Sequence, residues 1–485
     1  MHLSAKLVTV FALTAGPALA NIGRGIPTDL YKRHRDSGEY QKMISKRSPS
    51  SLHHTHDSLA KRANTESQQA QITSKKAECT PYSVPEVAAI LSDFPTPWEN
   101  ATILADDTAA QNVWKSIQDS GIIPSSVKPK GTVNGDFSGV NYNNAQDPDC
   151  WWTATNCHTP KQSDLAADVY QCPEPSTWGL TFDDGPNCSH NAFYDYLLEN
   201  QQKATMFYIG SNVLDWPLEA QRGLVDGHHI CVHTWSHQYM TSFPDDQVFA
   251  ELYYTAKAIK DVVGVTPTCW RPPFGDVDDR VRAIATGLGL ETVIWTDDTD
   301  DWQILPLGTK PASVIDSNYA SIISKESSST GNIVLTHEIN GYTMKEFMKE
   351  YPAIKAAYKH VVPLTACMNR TKPYPEDITY PDFEQYTSGN VNATGLPSGD
   401  TIKASDADYT PVTTTDSAPS TASTSTSKGS SSSSSSGKAQ AQSSSSSSSS
   451  SKSSSKTSGA SSSSSLALTA TSTAILLALV TLLLQ

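Results

Sequence analysis

The chain has 485 residues, 50 of them acidic against 36 basic, with a formal net charge of −14. That balance excludes a nucleic-acid partner, because phosphate binding needs clustered Lys and Arg, and it is compatible with a neutral polymer. Hydrophobic residues make up 38% of the chain but are unevenly spread, so neither end reads as ordinary globular sequence.

The chain opens on "MHLSAKLVTVFALTAGPALA", a basic residue, an apolar stretch and a small-residue end, the layout of a secretory signal cleaved after Ala20. Residues 21–62 hold nine Lys or Arg against four Asp or Glu, with little apolar periodicity and two dibasic pairs, Lys46-Arg47 and Lys61-Arg62. This segment is expected to be a propeptide without a core of its own. Residues 63–170 are rich in Pro, Asn and Asp and read as an irregular extension wrapped around the main domain. Within it, "CWWTATNC" (150–157) predicts a small disulfide-closed loop presenting Trp151 and Trp152, which could stack on sugars if exposed but are expected in the core. Eight cysteines in a secreted chain predict disulfides, although eight permit about 105 pairings. Sequons at Asn100, Asn369 and Asn392 predict N-glycosylation; a fourth at Asn187 is less suitable, beside Cys188.

From Ser176 short β-branched runs alternate with amphipathic stretches. The runs are "TWGLTF", "ATMFYI", "HHICVH", "PTCWRP", "ETVIWT", "NIVLTH" and "VVPLTA". Helical stretches are expected at 190–202, 213–226, 245–263, 277–288, 312–325 and 343–359. This alternation predicts parallel βα units, in an α/β fold of the distorted (β/α)7-barrel type. An open doubly wound sheet is the alternative, but no GxGxxG or GxxxxGK follows any strand. Domain bounds follow as 171–370 for the barrel and 371–412 for a C-terminal extension. Residues 413–465 are dominated by Ser and are expected to form an extended, glycosylated stalk. The apolar tail 466–485 carries no basic flank. With the small residues Ser458-Gly459-Ala460 before it, it predicts a glycosylphosphatidylinositol signal attached near Ser458. A plain C-terminal membrane helix is the alternative.

The polar residues fall at strand ends: "TFDDGP" (181–186), "HTWSH" (233–237), "RPPFG" (271–275), "DDTDDW" (297–302) and His337. A parallel barrel brings the C-terminal ends of its strands to one face, where active sites are built. His233 and His237, four apart, share a face on a helical turn and suit a transition metal over calcium or magnesium. Taken alone such a pair is more often surface or core. With a carboxylate it becomes a two-His, one-Asp set with a position left open, the pattern of catalytic zinc. Adjacent Asp183 and Asp184 are then explained if one coordinates the ion and the other acts as base, which an ordinary surface turn does not explain.

These five motifs resemble, in order and spacing, those of the polysaccharide deacetylase family (carbohydrate esterase family 4), most closely its fungal chitin deacetylase branch, over roughly residues 145–370. The resemblance implies Asp183 as general base and Asp184, His233 and His237 as metal ligands. It implies Arg271 orienting Asp183, and the Phe274 backbone N–H holding an oxyanion. Trp302 and Leu335 would wall the acetyl slot, and His337 would be general acid, held by Asp301. It also implies zinc, with cobalt possible, and chitin or its oligomers as substrate. A wall-polysaccharide setting and a lipid anchor to the plasma membrane suit that reading. An esterase on another acetylated wall glycan is the nearer alternative, and a non-catalytic wall mannoprotein the more distant one. Trp302 and Leu335 also read as core, Asp298 and Asp300 as solvated loop carboxylates, and His228 and His229 as structural.

Overall fold

A computed structural model describes residues 63–325, 329–405 and 409–412. The signal, the propeptide, the stalk and the tail with Ser458 lie outside the described residues. Nine strands are present among the described residues: β1 Gln171–Cys172, β2 Thr177–Gly185, β3 Thr205–Tyr208, β4 His229–Val232, β5 Cys269–Trp270, β6 Glu291–Thr292, β7 Asp297–Asp298, β8 Gly331–Leu335 and β9 His360–Val362. They form one sheet in the order β1-β8-β2-β3-β4-β5-β6, with β7 on β8 and β9 on β2. All pairings are parallel except that of β1 with β8. The sheet curls until its ends approach. Val169 bridges in parallel to Val293 beyond β6, while β1, two residues on, lies against β8. Residues 169–172 thereby span the gap between β6 and β8.

The seven expected runs supply β2–β6, β8 and β9. The last run is shorter than expected, because after Pro363 the chain turns into the helix Leu364–Cys367. The two unexpected strands, β1 and β7, are Gln-Cys and Asp-Asp pairs that lie outside every β-branched run. Helices Asn191–Glu199, Asp245–Val263, Asp279–Gly287, Ala312–Ile323 and Gly341–Ala357 follow the amphipathic stretches. The stretch at 213–226 is broken into Gly210–Asp215 and Pro217–Val225, since Pro217 takes the first turn of a new helix.

Strand alternation sorts the core. Trp178, Leu180 and Phe182 of β2 join the helix-facing cluster. On the other face, Phe207, Cys231, Cys269, Val293, Ile333 and Val362 fill the barrel interior. Disulfides Cys172–Cys367 and Cys231–Cys269 lie in that interior. Gly179 is required there, because a Cβ would stand 2.9 Å from Cys172 Sγ. Cys79–Cys188 ties the extension to the barrel, and Cys150–Cys157 closes the expected loop. No cysteine is free.

The extension does wrap the barrel. Phe94 stacks on Trp235 at 5.8 Å and 3°, and Trp98 Nε1 donates to Asp215 at 2.9 Å. The Tyr82 hydroxyl donates to Glu219, whose buried carboxyl is pushed up to about 8 by desolvation. No described helix is long and apolar enough to cross a membrane.

Candidate active site

Asp183 and Asp184 end β2, where a regular strand would point them to opposite faces. Pairing with β3 breaks there: Asp183 registers with Phe207 and Gly185 with Tyr208, which leaves Asp184 as an extra residue at φ 74°. This bulge re-aims the second carboxylate at the strand end. Thr234, His237, Phe274 and Asp300 also have positive φ. For a β-branched residue such as Thr234 this is a strained conformation, of the kind that gathers at functional sites.

Asp184 meets both imidazoles. Its Oδ1 lies 3.1 Å from His237 Nε2 and 3.4 Å from His233 Nε2. All three residues are buried, with ligand atoms within 4.8 Å of one another. The His233 Nδ1–H donates to the Arg271 carbonyl at 2.8 Å, which aims the Nε2 lone pair at Asp184. Burial drives the His237 pKa down, only partly offset by Asp184. Burial pushes the Asp184 carboxyl up, but His237 and His233 more than reverse this and hold it well below the usual carboxylate range. Both its oxygens are buried without a hydrogen-bond donor. A buried anion without donors beside two ligating nitrogens fits a cation.

Arg271, wholly buried, donates from Nη1 to Asp183 Oδ1 at 2.8 Å and to Thr181 Oγ1 at 2.9 Å. Its guanidinium stands 4.2 Å over the Phe207 ring and 5.7 Å from that of Trp295. Asp183 Oδ2 remains directed at the cluster, 3.7 Å from His233 Nε2. Asp301 grips His337 twice, through Nδ1 at 2.6 Å and the backbone N–H at 2.9 Å. Burial lowers the His337 pKa, but Asp301 first and then Asp184 and Asp183 outweigh it, raising it to about 10.

Asp183, His233, His237, Phe274, Trp302, Leu335 and His337 all line one cleft of about 560 Å³. Asp184, Arg271 and Asp301 stand behind these residues. Phe274 stacks on Tyr239 at 4.1 Å and meets the His237 ring edge-on at 4.8 Å. Asp298 is exposed and Asp300 partly exposed, as expected of loop carboxylates. Both line the cleft, Asp300 bonded to Lys310 at 2.6 Å and Asp298 accepting the Asp300 N–H at 2.7 Å. Trp151 is buried as expected, whereas Trp152 is only half-buried and faces the cleft. His228 and His229 are structural: Ala204 N donates to His228 Nδ1, and burial lowers the His229 pKa to about 3. Asn100, Asn369 and Asn392 are exposed, while the Asn187 side chain is engaged with Ile339 and Ser189.

Glu251 went unnoticed in the sequence. Its carboxylate accepts the N–H groups of Ala101, Trp235 and Ser236 and the Ser236 hydroxyl, at 2.6–2.9 Å. It pins the turn between the two histidines to the extension. The signal was available, since Glu251 falls one turn from Val248 and Thr255 on the apolar arc of its helix, where an unpaired carboxylate is costly. Trp295 was also missed; its place near the end of the "ETVIWT" run, just before the acidic motif, was the clue.

The polysaccharide deacetylase family model matches residues 170–293. The chain is 54% identical over 343 residues to Chitin deacetylase 2 of Cryptococcus neoformans var. grubii, covering 69% of this chain and 75% of that one. It is 49% identical over 325 residues to the chitin deacetylase of Amylomyces rouxii, covering 65% and 76%. Among solved structures, the chitin deacetylase of Colletotrichum lindemuthianum aligns at a TM-score of 0.39 and 23% identity, over 44% of this chain and 95% of that one. On the strength of these sequence relatives, the chain belongs to the polysaccharide deacetylase family.

Proposed function

We propose that the protein removes N-acetyl groups from N-acetylglucosamine units of chitin, releasing acetate and leaving chitosan. One observation carries the reading. A carboxylate held by Arg271 and an imidazole held by Asp301 open onto the same cleft as a buried two-His, one-Asp cluster. The relatives at 49–54% identity, named as chitin deacetylases, support chitin over other acetylated glycans. Acetate release from N-acetylglucosamine oligomers and from acetylated xylan, measured side by side, tests it. Faster release from the oligomers is expected, and release from xylan alone would overturn the substrate.

Asp184, His233 and His237 hold the metal; imidazole donors favour a transition ion, with zinc proposed and cobalt able to replace it. Such an ion supplies Lewis acidity at the acetyl carbonyl and acidifies water. Asp183 accepts the proton of the attacking water, and Arg271 keeps it ionised and aimed. The Phe274 backbone N–H faces the developing oxyanion. Trp302 and Leu335 enclose the acetyl methyl. His337 gives its proton to the leaving amine, without which an amide does not cleave.

The sign of the Asp301 effect is testable. Its negative charge stabilises the imidazolium and so raises the His337 pKa. The acid is lost as pH rises through that pKa, which sets the alkaline limb of the rate profile. In Asp301→Asn that limb is expected to move to lower pH, by about one unit or more. An unmoved limb would take His337 out of the proton transfer.

The signal at 1–20, removal of 21–62 after Arg62, the stalk and the tail with attachment near Ser458 together support a secreted protein held by a lipid anchor at the plasma membrane or wall. Release from cells by a phosphatidylinositol-specific phospholipase checks this; retention after treatment would count against the anchor.

A further inference from the structure

His233 and Arg271 stand at the ends of β4 and β5, and little backbone pairing holds those two strands together. The β3–β4 ladder has four residue pairs, from Thr205 with His229 to Tyr208 with Val232. The β4–β5 ladder has one, Val232 with Trp270, extended by the Arg271 N–H donating to the Val232 carbonyl at 3.0 Å. Yet the two side chains just beyond it have to keep register with each other. The His233 Nδ1–H reaches the Arg271 carbonyl at 2.8 Å, and Arg271 Nη1 reaches Asp183 Oδ1 at 2.8 Å. Movement of β5 against β4 would turn the imidazole and withdraw the guanidinium together.

A covalent tie lies directly behind this pair. Cys231 and Cys269, each one residue before the Val232–Trp270 pair, are joined by a disulfide with Cα atoms 5.1 Å apart. Side chains alternate along a strand, so Cys231 shares a face with His233, and Cys269 with Arg271. Phe207, the register partner of Cys231 on β3, carries the Arg271 guanidinium 4.2 Å over its ring. Both cysteines are buried. Stabilisation of the chain does not account for the position of this disulfide. A crosslink constrains the unfolded chain more the longer the segment it closes. Cys172–Cys367 spans 195 residues and Cys79–Cys188 spans 109, whereas Cys231–Cys269 spans only 38. What sets it apart is its place, two residues behind both His233 and Arg271.

We propose that the Cys231–Cys269 disulfide is a positioning element of the active site, which couples the metal centre to the base. It fixes the spacing of β4 and β5, so that His233 Nε2 stays aimed at the metal position and Arg271 stays on Asp183. Neither sulfur touches substrate; the effect passes through the two side chains in front of them. The inference rests on the metal-dependent reaction proposed above.

The test compares the intact protein with two double variants. Cys231→Val with Cys269→Ala roughly conserves the buried volume while removing the tie. Cys172→Ala with Cys367→Ala removes the longer crosslink elsewhere in the barrel interior. Zinc affinity is read by competition with a coloured chelator, and the ligand geometry from the visible absorption of the cobalt-loaded forms. Acetate release from chitin oligomers at saturating metal gives kcat and KM. In the first variant, zinc affinity is expected to fall about tenfold or more, with shifted cobalt bands. Its kcat is expected to fall about tenfold at unchanged KM, because Asp183 is no longer held in line. The second variant is expected to lose thermal stability with affinity, bands and kcat unchanged. Native affinity or native kcat in the first variant would overturn the proposal, which requires both to fall. The same losses in the second would overturn it too, by making them a consequence of lower stability. If the second does not fold, the first decides alone. Failure of the first to fold would leave the disulfide a structural tie and nothing more. An intact protein that binds no metal, or binds it and releases no acetate, would overturn the deacetylase reading, and this inference with it.

Discussion

Asp183→Asn is expected to lower kcat/KM for acetate release by about 10²–10⁴-fold while leaving the metal in place. The side chains are isosteric, and the amide oxygen can still accept from Arg271 Nη1, bonded at 2.8 Å in the native protein. What disappears is the capacity to take a proton. There is a second consequence. Arg271 is wholly buried, and its Nε and Nη2 have no hydrogen-bond partner. Asp183 supplies its close counter-charge, so breaking the pair is expected to cost up to about 3–5 kcal/mol of stability. Four disulfides offset that loss by constraining the unfolded chain. Activity lost with metal content and fold retained is the expected result. Near-native activity would remove Asp183 from the role of base.

Asp184→Ala is expected to act differently, although the two residues are neighbours. Asp184 makes no hydrogen bond through its carboxylate, whose Oδ1 lies 3.4 and 3.1 Å from the two imidazole nitrogens. Removing it takes away one of the three proposed ligands and the only anionic one among them. Metal affinity should fall by more than about 100-fold, the upper end of what losing a supporting group costs a site. Activity should fall with it and return only in part at high metal concentration. The two vacated imidazoles would still be buried, but neutral rings tolerate burial far better than an unpaired carboxylate does. Asp184→Ala therefore should not unfold the protein. Retention of the metal at native affinity would contradict the ligand assignment.

The barrel was legible in the sequence because its strands and helices have different apolar periods, and the helix at 245–263 was predicted to the residue. The site was legible because its polar residues cluster at strand ends. Three things were hidden, for physical reasons. The bulge at Asp184 is a property of the β2–β3 register, which a single strand does not reveal. Strands β1 and β7 are defined only by their partner β8. The cleft wall from the extension depends on long-range fastening by Arg282 and Asp276, more than a hundred residues from the segment they hold. Trp152 looked like Trp151 in the sequence; one indole reaching Asp276 made the difference.

The most direct test of the division of labour is to measure bound metal and acetate release from chitin oligomers together, on the intact protein, Asp183→Asn and Asp184→Ala. The account predicts metal and acetate in the first, metal without acetate in the second, and neither in the third at native metal concentrations. A second variant that has lost its metal, or a third that releases acetate without any, would contradict it.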